Sequence, residues 1–461
     1  MKRFAMFIIC VLPVVLSSPA LAEMKTFVKD YTYQASEDDS RNSSRTISLR
    51  EVKRLLLEEL GTYLESETEV KDFQLTKDQI TTLTAGIVQT EITEEKWDGR
   101  TYWLKARIAA DSGEVIKSID TLRKDRQKTK ELEEVRRRSE ELLKENERLR
   151  QELLTAKGEK KQKDTVAYNE TIKDLNAADW FEKGYSFQTS SSYSDAIDAY
   201  SKAIDLNPKY AEAYYNRGIA YFNLGNYSQA IRDFDKAIEL NPKLAEAYYN
   251  RGVVYGNLGN YSQAIRDFDK AIELNPKDEK AYYNNRGRAY HSLGNFSQAI
   301  KDFDKAIDLN PNYAAAYYNR GLVYKSLGNY SRGVKDYDRA IDLNPKLAEA
   351  YIGRGLAYHS LGNFSQAIKD YDKAIDLNPE DAMAYNNRGN AYAVLGNFSQ
   401  AIKDYDRAID LNPKLAEAYY NRGVVYGSLG NYSQAIADMK IAARLGNQIA
   451  QDFLRGKGIS W

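Results

Sequence analysis

Seven prolines (Pro208, Pro242, Pro276, Pro311, Pro345, Pro379 and Pro413) recur at intervals of 34, 34, 35, 34, 34 and 34 residues. Proline is excluded from helix interiors and central strands, so each one marks an element boundary. A fixed period near 34 in self-similar sequence defines a repeat architecture, in which each unit buries its apolar face only against its neighbours. At 461 residues the chain is also too long for one ordinary core, so two or more structural units are expected.

Within one period, 211–244, Tyr214, Gly218, Tyr221 and Leu224 fall on one helical stripe, and Ala230, Ile231, Phe234, Ala237 and Ile238 on a second. Leu224-Gly225-Asn226 separates them. Gly225 suits the left-handed position that closes a helix, and Asn226 suits an N-cap, with Gln229 placed to reach back. The aromatic at Tyr214, Gly218, Tyr221, Ala230, the aromatic at Phe234, Ala237 and Pro242 match the signature of the tetratricopeptide repeat, which this chain resembles. The match runs from Trp180-x3-Gly184 to Tyr419-x3-Gly423…Ala435. The resemblance implies a mainly α fold: a right-handed α-solenoid of eight helix pairs over 177–449, with the first helices lining the concave side. Residues 450–461 then read as a C-terminal cap.

Two units depart from the pattern. Tyr282-Tyr283-Asn284-Asn285-Arg286-Gly287 carries one extra residue, which reads either as a helical bulge of the kind found at functional positions or as a tolerated duplication slip. Ile352-Gly353 replaces the Tyr-Asn found elsewhere and suggests room for a partner's side chain.

The front of the chain reads differently. Residues 1–22 form a secretory leader: Lys2 and Arg3, an apolar run from Phe4 to Leu16, and a small-x-small site at Ala20-Leu21-Ala22. Cleavage would start the mature chain at Glu23; an uncleaved anchor is the alternative. Leader and repeats are similar in style to exported bacterial members of the family, so a periplasmic or secreted location is expected, with no stable membrane insertion after cleavage. Residues 23–120 suggest a small α+β domain. Val52, Leu55, Leu56 and Leu60 mark an amphipathic helix, and Asp98-Gly99 marks a hairpin between two alternating runs. Residues 121–157 carry heptads, with Leu132, Ser139, Asn146 and Leu153 at a and Val135, Leu142 and Leu149 at d. Asn at a with Leu at d favours a parallel homodimer; a single charged helix held by i,i+4 pairs is the other reading. Dimerisation would then use Leu132, Val135, Leu142, Asn146, Leu149 and Leu153. Residues 158–176 read as a polar linker.

Little in the chain points to catalysis. Its one cysteine, Cys10, lies in the leader, and its two histidines, His291 and His359, sit at equivalent exposed places in different repeats. No metal site and no cofactor are expected. Acidic pairs such as Asp233 and Asp235 repeat along the array and read as a salt-bridged helix face, whereas catalytic carboxylates would be unique. Lys+Arg and Asp+Glu both number 66, so no basic excess points to nucleic acid. An activity within 23–120 would lack a histidine base.

The expected function is therefore binding. The resemblance places the residues two and three before each repeat Gly in the groove: Tyr215 and Asn216, Tyr249 and Asn250, Asn284 and Asn285, Tyr318 and Asn319, Asn386 and Asn387, Tyr420 and Asn421. A ladder of amides can pair with an extended peptide backbone whatever its side chains, and tyrosines add contact area at low entropy cost. The partner is then a protein or peptide. Three alternatives stay open: residues copied by duplication that merely solubilise the groove; a spacer or assembly platform whose specific contact lies in 23–120; and a cationic clamp built from Arg217 and its equivalents. The same arginines can instead bridge to Asp233 or Asp235.

Overall fold

The computed structural model describes residues 24–66, 75–85, 87–124, 126–275 and 280–461, and among these it contains 21 helices and three strands. The leader lies outside the described residues, as does the side chain of Leu132. The chain divides into two compact units, Met1–Asn241 and Pro242–Trp461. None of the described helices is long and apolar enough to cross a membrane.

In the front unit, strand β1 (Met24–Gln34), helix α1 (Arg41–Ser66), helix α2 (Lys77–Ala85), strand β2 (Glu91–Trp97) and strand β3 (Thr101–Asp111) make the expected α+β domain. The sheet is antiparallel in the order β1-β3-β2, with Tyr33 opposite Tyr102 and Trp97 also opposite Tyr102. Asp98 Oδ1 closes the hairpin by accepting from the Arg100 and Thr101 amides at 2.9 and 2.7 Å, and Gly99 takes a φ of 98°. Alternation puts Tyr102, Leu104, Ala106 and Ile108 of β3 on one buried face, against which α1 lays Val52, Leu56, Leu60 and Leu64. Ser40 and Ser43 cap α1 reciprocally, through Ser40 N–H to Ser43 Oγ at 2.9 Å and Ser43 N–H to Ser40 Oγ at 3.1 Å.

Helices α3 (Ser112–Lys124), α4 (Arg126–Leu153) and α5 (Gly158–Thr189) follow. The structure corrects two expectations here. The heptad stripe of α4 faces its own chain: Val135, Leu149 and Leu153 belong to the core of the front unit, Leu142 packs against that core, and Ser139 and Asn146 are buried with them. Helix α5 lies along this stripe. A neighbour within the same chain satisfies an a/d pattern as well as a second copy does. The supposed linker 158–176 is the first half of α5. Tyr168, Thr171, Ile172 and Leu175 recur at helical spacing and are buried on the side of the same core, while Lys163, Glu170 and Lys173 face outward. At 32 residues α5 is about 48 Å long. Its second half carries Phe181 and Tyr185 and serves as the first helix of the first repeat.

That repeat is completed by α6 (Tyr193–Leu206), and the second is α7 (Ala211–Asn223) with α8 (Tyr227–Leu240). The second unit holds six more pairs: α9 (Ala245–Asn257) with α10 (Tyr261–Leu274), α11 (Lys280–Ser292) with α12 (Phe296–Leu309), α13 (Ala314–Ser326) with α14 (Tyr330–Leu343), α15 (Ala348–Ser360) with α16 (Phe364–Leu377), α17 (Ala382–Val394) with α18 (Phe398–Leu411), and α19 (Ala416–Ser428) with α20 (Tyr432–Arg444). A last helix, α21 (Gln448–Gly456), covers Met439, Ala442 and Ala443 with Ala450 and Leu454, as expected of a cap.

One repeat shows why the sequence folds this way. Gly225 at φ 74° ends α7 in a Schellman turn, with Asn226 N–H bonded to Tyr221 O and Gly225 N–H to Phe222 O, both at 2.9 Å. The two helices then meet where Gly218 lies under the Phe234 ring, and a Cβ there would come within 2.8 Å of Phe234 Cε1. Phe234, Phe268 and Phe303, and the tyrosines at 337, 371 and 405, are buried at the same position. Each such ring contributes about 2–3 kcal/mol of burial.

The extra residue makes no bulge. Helix α11 is a regular 13-residue helix with Lys280 seven residues before Gly287, as Ala245 stands seven before Gly252. Among the described residues the helix is unbroken from Lys280 to Ser292. It places Tyr282 where other repeats have Ala213 or Ala247, and Tyr282 is as buried as they are.

Candidate protein-binding surface

The arginine before each repeat Gly makes the most regular polar contact in the molecule. In the front unit Arg217 grips Asp233 with both ends of its fork, at 2.7 and 2.8 Å, and Ser201 Oγ with its third nitrogen at 2.9 Å. In the second unit Arg320 holds Asp336 in the same bidentate way at 2.8 and 2.7 Å and reaches back to Asp304 of the preceding pair at 2.5 Å. Arg286, Arg354, Arg388 and Arg422 repeat the arrangement, joining Asp269 to Asp302, Asp338 to Asp370, Asp372 to Asp404 and Asp406 to Asp438. Bidentate, charge-assisted bonds of this kind are the strong ones. Those hydrogen bonds hold the guanidiniums of Arg320, Arg388 and Arg422 well above their ordinary range. The arginines are thus engaged in joining repeats, as the bridging alternative anticipated, and the clamp reading loses its cations.

The twelve groove residues are also more engaged than the sequence suggests; none is exposed. Asn216 is 1% exposed, accepts from Gln188 Nε2 at 3.3 Å and donates to Glu212 O at 3.0 Å. Tyr215 packs on Phe234, with ring centroids 6.0 Å apart. In the second unit the amides bond backwards along the array. Asn285 donates to Tyr249 Oη at 2.7 Å, Asn319 to Asn284 Oδ1 at 2.9 Å, and Asn421 to Asn386 Oδ1 at 3.0 Å. Tyr249 packs between Phe268 and Tyr282 with tilted rings, Tyr318 leans on Tyr337, and Tyr420 packs on the core beneath the last helix. Asn250 and Asn387 are half-buried. The structure therefore brings the residues together as a row, with much of its hydrogen bonding made between repeats.

Gly353 leaves no vacancy for a partner's side chain. The Tyr337 ring lies between Gly321 and Gly353, and a Cβ on either would come within 2.8 Å of it. Beside Asn285 there is instead a small cavity of about 120 Å³, lined by Val253, Asn257, Tyr261, Phe268 and Arg288, among others. His291 and His359 are half-buried against Phe296 and Phe364, where exposed positions were expected. Burial lowers the pKa of both, with Lys325 adding to the effect at His291. Among the described residues no group of His, Cys, Asp and Glu could hold a metal ion.

The groove reading overlooked the front unit. There Arg50, Lys53, Asp179 and Glu182 meet in a charged cluster: Arg50 bonds Leu175 O at 2.7 Å and pairs with Asp179 at 3.1 Å, and Lys53 pairs with Glu182. Arg50 stands three residues after Ile47 and seven before Leu57, on a buried stripe of α1. A cation on an apolar stripe was the available signal.

Paired helices of this length, a glycine under an aromatic in all units but the last, and a Schellman turn in each define a helical-repeat scaffold. The chain belongs to the tetratricopeptide-repeat family: models of the TPR repeat match residues 184–225, 287–328, 355–396 and 389–430, and models of the tetratricopeptide repeat match 211–244, 245–278, 314–347 and 416–445. The chain is similar to MamA, at 30% identity over 36% of this chain and 96% of that one, with a TM-score of 0.33. It is similar to YrrB, described as a TPR protein with an unusual peptide-binding site, at 25% identity over 42% and 98% of the two chains, TM-score 0.35. A tetratricopeptide repeat protein from Parabacteroides merdae is 22% identical over 53% and 97%, TM-score 0.44. No curated protein matches the chain. Family membership makes it a protein–protein interaction scaffold, on a fold that is generally non-enzymatic.

Proposed function

We propose that the protein is an exported scaffold that takes an extended peptide, or an extended segment of a protein, along the first helices of residues 245–428. The observation that supports this reading is the row of buried and half-buried Asn and Tyr side chains, with a cavity beside Asn285. Amides that bond one another can exchange those bonds for a partner's backbone at little net cost. Replacing Asn250, Asn285 and Asn319 together with Ala tests it, with capture measured by crosslinking in the native envelope. Capture should fall at least tenfold with the thermal midpoint little changed; undiminished capture sinks the groove.

The location belongs to the same proposal. The leader supports export to the bacterial periplasm with cleavage after Ala22. N-terminal sequencing of the envelope-fractionated protein should read Glu23-Met24-Lys25, and a retained Met1 refutes cleavage.

In a second reading the front unit makes the specific contact and the repeats space it. It is favoured by the cavities around Arg50 and Asp179. Because α5 is continuous, the separating cut falls at Asn241, not at residue 176. If residues 23–241 alone bring down the partner, this second reading replaces the groove.

A further inference from the structure

Two consecutive first helices of residues 242–461 differ from their copies in charge. Helices α9, α15 and α19 carry Glu246, Glu349 and Glu417 as their second residue, whereas α11 and α13 have Ala281 and Ala315 there and no acidic side chain along their length. The residue after the repeat Gly is apolar in α9, α13, α15 and α19, but in α11 it is Arg288. Four residues after the Gly, α13 has Lys325 where α9 and α19 have glycine. The two cations flank one seam. Arg288 and His291 stand three apart on a face of α11. His291 Nε2 lies 3.1 Å from the hydroxyl of Ser326, which adjoins Lys325. Ser326 gives its one proton to Leu322 O at 3.1 Å, so the histidine is the donor to it.

This charge is not cancelled by the chain. Arg288 is exposed, makes a single bond, to Asn285 Oδ1 at 3.3 Å, and like Lys325 has no ion pair among the described residues. The aspartates of the neighbouring second helices are already held, Asp269 and Asp302 by Arg286 and Asp304 and Asp336 by Arg320. Glu349 comes near Tyr318, where it opposes Arg288, but among the described residues it pairs with neither cation. Lys280, over the Tyr313 ring, adds a further positive charge at the start of α11. The cavity beside Asn285 lies between α9 and α11, and of the nine described residues that line it Arg288 alone is charged. Asn257 and Ser292 in its wall are exposed and Tyr261 is half-buried, so their polar groups are within reach of a visitor. Gly256 keeps the space open. Glycine is disfavoured inside a helix, and a Cβ at this position would meet nothing within 4 Å, so packing does not require it. At about 120 Å³ the space takes one side chain, well below the roughly 300 Å³ at which ligand pockets begin. A cation there would be repelled, and an apolar group would strip water from the guanidinium without replacing it.

We infer that the groove selects an acidic partner segment: a Glu or Asp side chain enters the cavity between α9 and α11 and pairs with Arg288, and a second acid three residues away meets Lys325. This rests on the groove reading and adds the partner's chemistry to it. The spacing follows from geometry. In a polyproline-like extended chain residues i and i+3 share a side about 9 Å apart, which matches the roughly 8–10 Å between packed helices, and α11 touches α13. A guanidinium also fixes the direction of a carboxylate, so the pair at Arg288 sets the register of the segment as well as its charge.

The test uses the full chain and three acetylated peptides, titrated calorimetrically at low salt: Ala-Glu-Pro-Ala-Glu-Pro-Ala-amide, the same amide with Gln for Glu, and the Gln peptide with a free C-terminus. The Glu amide should bind at least roughly fivefold more tightly than the Gln amide, a gap that narrows as salt is raised. Arg288→Leu, with the side chain that α13 has at this place, should bring the Glu amide down to the affinity of the Gln amide. Gly256→Phe, with the side chain that α7 has at this place, should do the same by filling the cavity. Equal affinity of the two amides for the unchanged protein overturns the acidic subsite and leaves the groove standing. A preference for Glu that survives Arg288→Leu overturns the assignment to this cavity. Tighter binding of the free C-terminus than of the Glu amide overturns the side-chain source in favour of a terminal carboxylate. Binding of none of the three overturns the subsite, while the groove is still decided by its own capture experiment.

Discussion

In residues 242–461 the arginines of five successive pairs are each held between two carboxylates, and the pattern recurs without change from Arg286 to Arg422. In the front unit Arg50 is more deeply buried, has no copy elsewhere and keeps Nε unpartnered. The difference separates two origins of buried charge. Duplication propagates a hydrogen-bond problem already solved, so the repeats are polar inside yet internally closed. A position that arose once need not be closed by the chain, and Arg50 Nε is left without a partner.

The largest effects should come from opening a closed pair. Arg354→Met leaves Asp338 and Asp370 facing each other without a counter-charge, and should lower unfolding free energy by about 3–5 kcal/mol in urea titration. The double variant Arg354→Met, Asp370→Leu should recover much of that loss; no recovery would mean that packing, not charge, dominates.

Leu149→Ala should cost about 2–5 kcal/mol, because its stripe is part of the front core. The thermal midpoint of both proteins should be independent of concentration, and sedimentation should give a single-chain mass. A midpoint that rises with concentration would restore the interchain seam first suggested by Asn146 and Leu149. Next in size, Gly353→Asn rebuilds the missing rung of the amide row but drives a Cβ into the Tyr337 ring, and should destabilise by about 1–3 kcal/mol. If Gly353→Asn instead stabilises, the row matters more than the packing beneath it.

The smallest effect concerns pH. Burial lowers the His359 pKa below 6.5, so the unfolded chain binds its proton more tightly than the folded chain does. Stability should therefore fall as pH drops through the range just below about 6.5. His359→Gln should flatten that slope between pH 7.5 and 5.5; an unchanged slope assigns it to other groups.

The repeats were legible in the sequence because copying multiplies the signal. Gly225, Asn226, Phe234 and Pro242 each recur with a fixed offset, so turn, cap, core and boundary could be assigned together. The α+β domain was partly legible, through the Asp98-Gly99 turn and the stripe ending at Leu60; strand β1 was not anticipated. What failed, failed for one reason: local pattern does not name its partner. The stripe through Val135 and Leu149 fits a second copy as well as its own chain, and Tyr168 and Ile172 stand among lysines and threonines that mask their spacing. Both lines of residues face each other through the front core. The hydrogen bonding of the groove Asn residues was not legible, since bonds such as Asn319 to Asn284 span 35 residues and leave no trace in a single unit.

The arginine that joins one pair to the next has a consequence for how such an array changes length. Each unit brings an arginine for the carboxylate behind it and a carboxylate for the arginine ahead. Adding or removing a whole period re-forms the same handshake across the new junction, whereas a cut at any other phase leaves a charge stranded. The array can therefore grow or shrink in steps of about 34 residues and remain electrostatically sealed, so that its reach is adjustable by recombination while its interior chemistry is not.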